Sequence, residues 1–428
     1  MGLLIREALS FWTGHPYDFE VWIRTGHAVA LGANPYSVPW PSLPGVSIGF
    51  LGDSLPSAAY LPFWPVLDGG IYRAWESVGF GNRFVLYFLL KQPGIWADVS
   101  TAFLLQRIVR NETGDADRAL RVATYWSLFP YAIVITAVWG QFDSIVVALL
   151  LGLGFARGPV ERNLAWGVGI LVKWVTAIFL PFEIFRERGI RRLGFLLAVG
   201  LPVAVTVAVF RLFGWSLTHL LAGGLSQTSG GGYGMNLALL FSSPPLSSVF
   251  TLSPALFYVA GWMYVPGVFV AGWVAARWLR APGAYPELRG MLLIVTVFLL
   301  LRWGLYEQYL LYLFSLLALD LALAHPGRRA FLATLIGLTF GDLLVNNDLG
   351  LRFLSPLDPS LWDHLAALDN SGLYGSVRVA VLYGLAVAIT VTLIQLVRSI
   401  CRDEAAPFPW VLAWVPLLRR QIRRRLPP

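Results

Sequence analysis

Nine apolar stretches of roughly bilayer-crossing length dominate this chain of 428 residues. A helix needs about 20 mostly apolar residues to cross the hydrocarbon core. The stretches 84–106, 119–138, 143–156 (the short one), 193–213, 254–276, 288–304, 306–324, 330–346 and 374–397 meet or approach that length. A tenth apolar stretch covers 163–182. Backbone placed in lipid must satisfy its own hydrogen bonds, which leaves helices or a closed barrel. The alternating pattern of barrel strands is absent, so helices are expected. Composition agrees: 57% of residues are hydrophobic and 13% charged, against about 25% charged in a soluble domain. A disordered chain, a nucleic-acid-binding tail protein and an ordinary cytosolic enzyme are excluded. The one cysteine, Cys401, excludes a disulfide framework and a zinc cluster. The expected fold is an all-α polytopic membrane protein: a single bundle of nine or ten transmembrane helices over 1–398, then a basic tail at 399–428.

Arginine sets the expected orientation, because cytoplasmic loops carry the excess of basic residues. With 14–83 outside, the inner segments are 107–121, 157–162, 183–192, 277–289, 325–329 and the tail from 398. They hold 22 of the 30 arginines and 9 of the 24 acids, whereas the outer side holds 8 arginines and 13 acids. The tail ends in five arginines behind an apolar half, which fits an interfacial segment on the anionic inner leaflet. The stretch 163–182 breaks the alternation, since RGPVER precedes it and FRERGIRRLG follows it. Both of its ends should be cytoplasmic, so it is expected to enter and return, or to form two tilted half-helices; the alternative is one ordinary span. The first dozen residues are too few to cross and are wrongly ordered for a signal peptide. The expectation is that a preceding first helix has been clipped. Residues 14–83 read as a long extracytoplasmic loop rich in Pro, Gly, Trp and Tyr.

Three polar motifs fall at outer ends of membrane segments: HPYDFEVW (15–22), WGQFDS (139–144) and RWGLYEQY (302–309). The first supplies Asp18 and Glu20, carboxylates that suit proton abstraction from a hydroxyl or simple solvation. Nearby Tyr36 and Trp40 could stack on sugar faces or anchor at the interface. The second supplies Asp143, which also fits a helix N-cap. The third supplies Arg302, whose planar fork suits a phosphate or which snorkels from a helix end, followed by Glu307, Gln308 and Tyr309. Ionisable residues within spans are functional candidates. Lys91 and Asp98 share a helix face about two turns apart, and Lys173 sits mid-way in the 163–182 stretch. Asp320 and Asp342 suit helix–helix hydrogen bonds.

In order and placement these motifs resemble the GT-C superfamily of integral-membrane glycosyltransferases, over Gly14 to about residue 325. DFE at 18–20 is similar to the first outer-loop acidic motif. GANPYS at 32–37 with AYLPFW at 59–64 resembles its usual continuation, and KQPGIWADVSTAFLL at 91–105 a lysine–proline–aspartate helix. WGQFDS resembles the second acidic motif, and EQYLLY at 307–312 the glutamine–tyrosine motif of GPI mannosyltransferase I and related prokaryotic mannosyltransferases. The resemblance implies an inverting transfer, without a metal, of a hexose, mannose ahead of glucose, from a polyprenyl-phosphate donor to a hydroxyl of a glycan or lipid acceptor. It places the chemistry on the outer face of a cytoplasmic membrane. Asp18 would be the base, with Glu20 and Asp143 holding the acceptor or orienting Asp18. Arg302, Lys91 and Lys173 would bind the donor phosphate, and Gln308, Tyr309, Tyr36 and Trp40 the sugars. The sequence departs from the family at Glu307, an acid that could pair with Arg302. No nucleic acid partner is expected. The rival class is a lipid-linked-sugar transporter or flippase, suggested by Lys91, Asp98 and Lys173 beside a broken helix; against it, no internal repeat is visible. A metal-dependent variant would need Asp18, Glu20 and Asp143 to share Mg²⁺ or Mn²⁺.

Overall fold

A computed structural model describes residues 1–37, 40–43, 46, 47, 60–79, 81–154, 158–187, 189–220, 234–242, 259–279 and 285–403. Most of the glycine run at 225–236, part of the 14–83 stretch and the tail beyond 403 lie outside the described residues. Among the described residues every element is a helix. Where they are described, the apolar stretches are largely helical; residues 155–156 and 254–258 of two of them lie outside the described residues. Four helices are long and apolar enough to cross a membrane by length and composition: Phe195–Phe213, Val259–Trp278, Pro326–Asn346 and Gly372–Arg402. The pair Ala116–Ser127 and Pro130–Trp139, bent by 43°, makes a fifth if counted as one span. This is the architecture of a helical membrane protein.

Helix α1 (Gly2–Ser10) packs on α4 (Arg83–Thr113), the longest N-terminal helix. The contact is specific and polar. Arg6, 1% exposed, donates from Nε to Asp98 at 2.8 Å, and Trp126 Nε1 donates to the same carboxylate at 2.7 Å. The stretch read as a loop at 14–83 instead contains two helices, α2 (Pro16–Ala30) and α3 (Phe63–Val78), packed on each other. Pro16 opens α2 at a position where its missing N–H has no intrahelical partner to lose. Glycine lets the pair approach: a Cβ on Gly26 would stand 2.8 Å from the Asp68 carbonyl oxygen. The Pro and Gly content that suggested a loop therefore marks helix starts and close crossings.

Helix α5 (Ala116–Ser127) ends before α6 (Pro130–Trp139), whose last turns, Val134–Trp139, are π-helical. Phe129 is extended, as a residue before proline prefers. Helices α7 (Asp143–Gly154) and α8 (Pro159–Val172) follow. At Lys173 the chain turns extended (φ −154°, ψ 118°), then resumes as a 3₁₀ turn, Trp174–Phe179, and α9 (Leu180–Arg186). The two ends of 163–182 meet: Arg162 Nε donates to Glu183 Oε2 at 2.9 Å, and Arg162 Nη2 to Glu187 at 2.8 Å. A straight helix would hold residues 162 and 183 about 31 Å apart, so the segment is a hairpin with Lys173 near its tip. After α10 (Phe195–Phe213) come α11 (Tyr264–Trp278), α12 (Tyr285–Leu301), α13 (Leu310–Leu323), α14 (Arg329–Asn346), α15 (Ser360–Asp369) and α16 (Gly372–Arg402). Helices α12 and α13 are buried on nearly every side. They form the axis around which the others pack, the place for helices that are apolar all round.

Candidate active site

The first and second motifs meet directly. Asp18, in the first turn of α2, accepts from Trp139 Nε1 at 2.5 Å and from Gln141 Nε2 at 2.7 Å, both on Oδ2. Its Oδ1 has no hydrogen-bond partner among the described residues, and the side chain keeps 19% exposure. His15 completes the first motif: its backbone N–H donates to Trp139 O at 3.0 Å, its ring stacks on Trp139 at 4.8 Å, and its Nδ1 lies 3.4 Å from Asp18 Oδ2. Burial holds the His15 pKa below its ordinary value, with Asp18 pulling it back up. Glycine makes this junction possible. Gly140 ends α6 at φ 96°, and a Cβ there would lie 2.6 Å from the Phe19 ring.

The other end of WGQFDS faces the opposite way. Both carboxylate oxygens of Asp143 accept from Lys173 Nζ, at 2.9 and 2.7 Å, and Tyr312 donates to Oδ1. The carboxylate is occupied by side chains, so Asp143 does not act as an N-cap. Lys173 Nζ also lies 4.8 Å from the Tyr309 ring centroid and 5.1 Å from that of Phe142. Tyr309 reaches Arg302 in turn, with the guanidinium carbon 5.5 Å from its ring. Arg302 sits in a cage of aromatic faces, at 4.7 Å from Trp174, 5.5 Å from Tyr264 and 5.6 Å from Phe298. It is 4% exposed. Its Nε and Nη1 have no hydrogen-bond partner, and no carboxylate pairs with it, among the described residues. The pairing considered for Glu307 is not made: Glu307 accepts from Asn346 Nδ2 at 2.9 Å instead.

Two tyrosines join the halves. The Tyr60 phenol lies within electrostatic reach of Asp18, Tyr309 and Asp143, and its ring packs edge-on against Phe142. Burial holds its pKa well above the ordinary value, and the neighbouring acids push the same way, so Tyr60 stays a protonated hydrogen-bond donor. The Tyr306 phenol lies within electrostatic range of both Arg302 and Asp18. A run of neighbouring polar side chains thus links Asp18, Tyr60, Asp143, Tyr309 and Arg302 electrostatically, with Lys173 bonded to Asp143.

Four expected site residues fall elsewhere, and a fifth, Gln308, makes no side-chain hydrogen bond among the described residues. Lys91 is enclosed: Nζ donates to Ser10 O at 2.9 Å, Thr13 O at 2.6 Å, Thr13 Oγ1 at 3.2 Å and Ala137 O at 2.7 Å. It fastens α1 and α6 to α4 and has no spare N–H for a phosphate. Glu20, wholly buried, accepts from Arg24 Nε at 2.7 Å, one helical turn on. Tyr36 is a core residue, 2% exposed, its ring against Phe210 and Trp215 and its hydroxyl on Tyr60 O; no face is free for a sugar. Trp40 is half-buried, with its carbonyl on Arg24 and its Nε1 on Pro35 O, and no described contact joins it to that run. Gln308, 7% exposed, leaves Oε1 buried without a partner. The metal alternative fails on geometry, since Glu20 is committed to Arg24 and Asp143 to Lys173; among the described residues no group of three ligating side chains gathers.

Sequence reasoning missed His15, Tyr60, Trp174, Tyr264, Tyr306 and Tyr312. His15, Tyr60, Tyr306 and Tyr312 stand inside quoted motifs, HPYDFEVW, AYLPFW, RWGLYEQY and EQYLLY, whose other residues drew the attention. Tyr264 and Trp174 carry no local signal. No family model matches this chain, and no curated protein matches it.

Proposed function

We propose that this chain is a GT-C-type glycosyltransferase that moves a hexose, with mannose the first candidate, from a polyprenyl-phosphate donor to a hydroxyl of a glycan or lipid acceptor. The bundle would have nine or ten spans, with the site on the extracytoplasmic face of the cytoplasmic membrane. The observation that carries this reading is Arg302, a buried guanidinium with two unpartnered donor nitrogens and no acid beside it among the described residues, sharing the neighbourhood of Tyr306 with Asp18. A buried charge without a counterion is costly, and an anionic ligand would relieve that cost. Asp18 stands ready as base, held by Trp139 and Gln141 on one oxygen and open on the other.

In this mechanism Asp18 Oδ1 takes the acceptor hydroxyl proton as its oxygen attacks the anomeric carbon. The bond from that carbon to the phosphate oxygen breaks, inverting the centre. The polyprenyl phosphate leaves with the charge that Arg302 faces. A cation fixed in place before the reaction stabilises charge that develops in the transition state. Lys173 is already neutralised by Asp143 and would position Tyr309 beneath the sugar rather than bind the phosphate alone.

Membranes carrying the protein, supplied with a panel of radiolabelled polyprenyl-phosphate sugars, should transfer one of them. Asp18→Asn should lower that transfer about 10²–10⁴-fold, the usual cost of removing a general base. Full transfer by Asp18→Asn would overturn the base assignment. Movement of the labelled lipid across the membrane without any transfer would favour a flippase, the reading that the hairpin at Lys173 supports.

A further inference from the structure

Helix α13 runs from Tyr309 and the candidate site at one end to a cavity at the other, about 21 Å along its axis. This cavity has a volume of about 840 Å³ and lies between α5, the far end of α13 and the start of α14. One side is apolar, formed by Val122, Leu321, Leu332 and Ile336; the other carries Arg118, Arg121 and Arg329. Arg118 is partly engaged, with Asp115 at 3.4 Å and Ala322 O at 3.3 Å. Arg121 and Arg329 are exposed, and neither has a hydrogen bond or an acidic partner within salt-bridge distance among the described residues. Asp115 lies within electrostatic reach of Arg118 and Arg121 and Asp117 borders Arg121, so the three arginines outnumber the two nearby acids. Both arginine-bearing segments, 107–121 and 325–329, belong to the set whose basic excess points to the cytoplasmic side.

We infer that this cavity is a binding site for one anionic membrane phospholipid, its phosphate on Arg121 and Arg329 and its upper acyl chain along Leu332 and Ile336. Three features together select that occupant. The volume falls in the range of built ligand sites, about 300–1,000 Å³. Guanidinium forks match phosphate oxygens two at a time. A basic pocket between membrane helices on the anionic leaflet is where such headgroups collect. A free phosphate would use the arginines and leave the apolar side in water, whereas a zwitterionic lipid would set its own cation against them. The site is remote from Asp18 and Arg302 and does not depend on what the chain catalyses. Its position ties lipid occupancy to the relative placement of α5, α13 and α14.

The test uses the full chain in neutral detergent, measured by native mass spectrometry with added phosphatidylglycerol, phosphatidylcholine or inorganic phosphate. One phosphatidylglycerol should be retained in preference to phosphatidylcholine. Arg121→Ala with Arg329→Ala should weaken that retention about tenfold, as expected for loss of charge-assisted hydrogen bonds. Ile336→Trp, which fills the apolar side and leaves every charge in place, should weaken it as well. Equal retention of the two lipids, or wild-type retention by the double arginine variant, would overturn the inference. Displacement of phosphatidylglycerol by an equal concentration of inorganic phosphate would reduce the site to one for a bare anion and overturn the lipid assignment.

Discussion

The two lysines of this chain, Lys91 and Lys173, are alike in sequence and opposite in structure. Each lies in apolar surroundings, and they are 1% and 2% exposed. Among the described residues no acid pairs with Lys91; three main-chain carbonyls and the Thr13 hydroxyl absorb its donors. Lys173 stands at a break in the chain and pairs with Asp143 between aromatic rings. The first joins three helices, whereas the second borders a run of polar side chains that also holds Asp18 and Arg302. Burial of a cation therefore says little by itself. What satisfies the cation decides whether it serves the fold or the site. Arg302 extends the comparison, since neither carbonyls nor an acid among the described residues satisfy its Nε and Nη1.

The sharpest way to break this contrast is a mutant cycle on the ion pair. Lys173→Met should destabilise by about 3–5 kcal/mol, because it strands a buried carboxylate. Adding Asp143→Asn should restore much of that loss, read as thermal unfolding in detergent. Additive losses would show that the pair is not coupled. Lys91→Met has no acid to strand, yet it leaves carbonyls of Ser10, Thr13 and Ala137 without a donor. A loss of about 3 kcal/mol is expected, and no second substitution of an acid should rescue it. Arg302→Ala should do the reverse of Lys91→Met. The donor KM should rise between roughly tenfold and a hundredfold, the value of hydrogen bonds to a charged group, while unfolding moves less than in either lysine variant. A donor KM unchanged in Arg302→Ala would remove the phosphate site.

The smallest effect concerns pH. Because burial lowers the His15 pKa in the folded chain, protonation favours the unfolded state. The stability that His15 contributes is present above its unfolded value of about 6.5 and is lost as pH falls through the lower folded value. His15→Gln should flatten that part of the stability–pH curve, and an unchanged slope below pH 6.5 would show that another group titrates there.

Much of the site was legible because its polar motifs interrupt apolar sequence. Asp18, Asp143, Arg302 and Tyr309 are conspicuous where few charges occur, and the structure brings them into one run of neighbours. Glu20 and Lys91 were conspicuous for the same reason and proved structural. A partner one turn along the helix, Arg24, or a set of backbone carbonyls leaves no mark that spacing can reveal. Tyr36 failed differently: its ring suited a sugar face or the membrane interface, and the packing of Phe210 and Trp215 put it in the core. The helices α2 and α3 were hidden because their apolar faces are short and interleaved with Pro and Gly.

Hydrophobic length determined, from the sequence alone, that this is a helical membrane chain. Such length is a property of runs of residues, and free energies of transfer add along a run. Which buried charge meets which partner was decided only by tertiary structure. Electrostatic pairing depends on distances of a few ångströms between residues far apart in the chain, such as Asp143 with Lys173 or Asp18 with Trp139, and no local pattern encodes those distances.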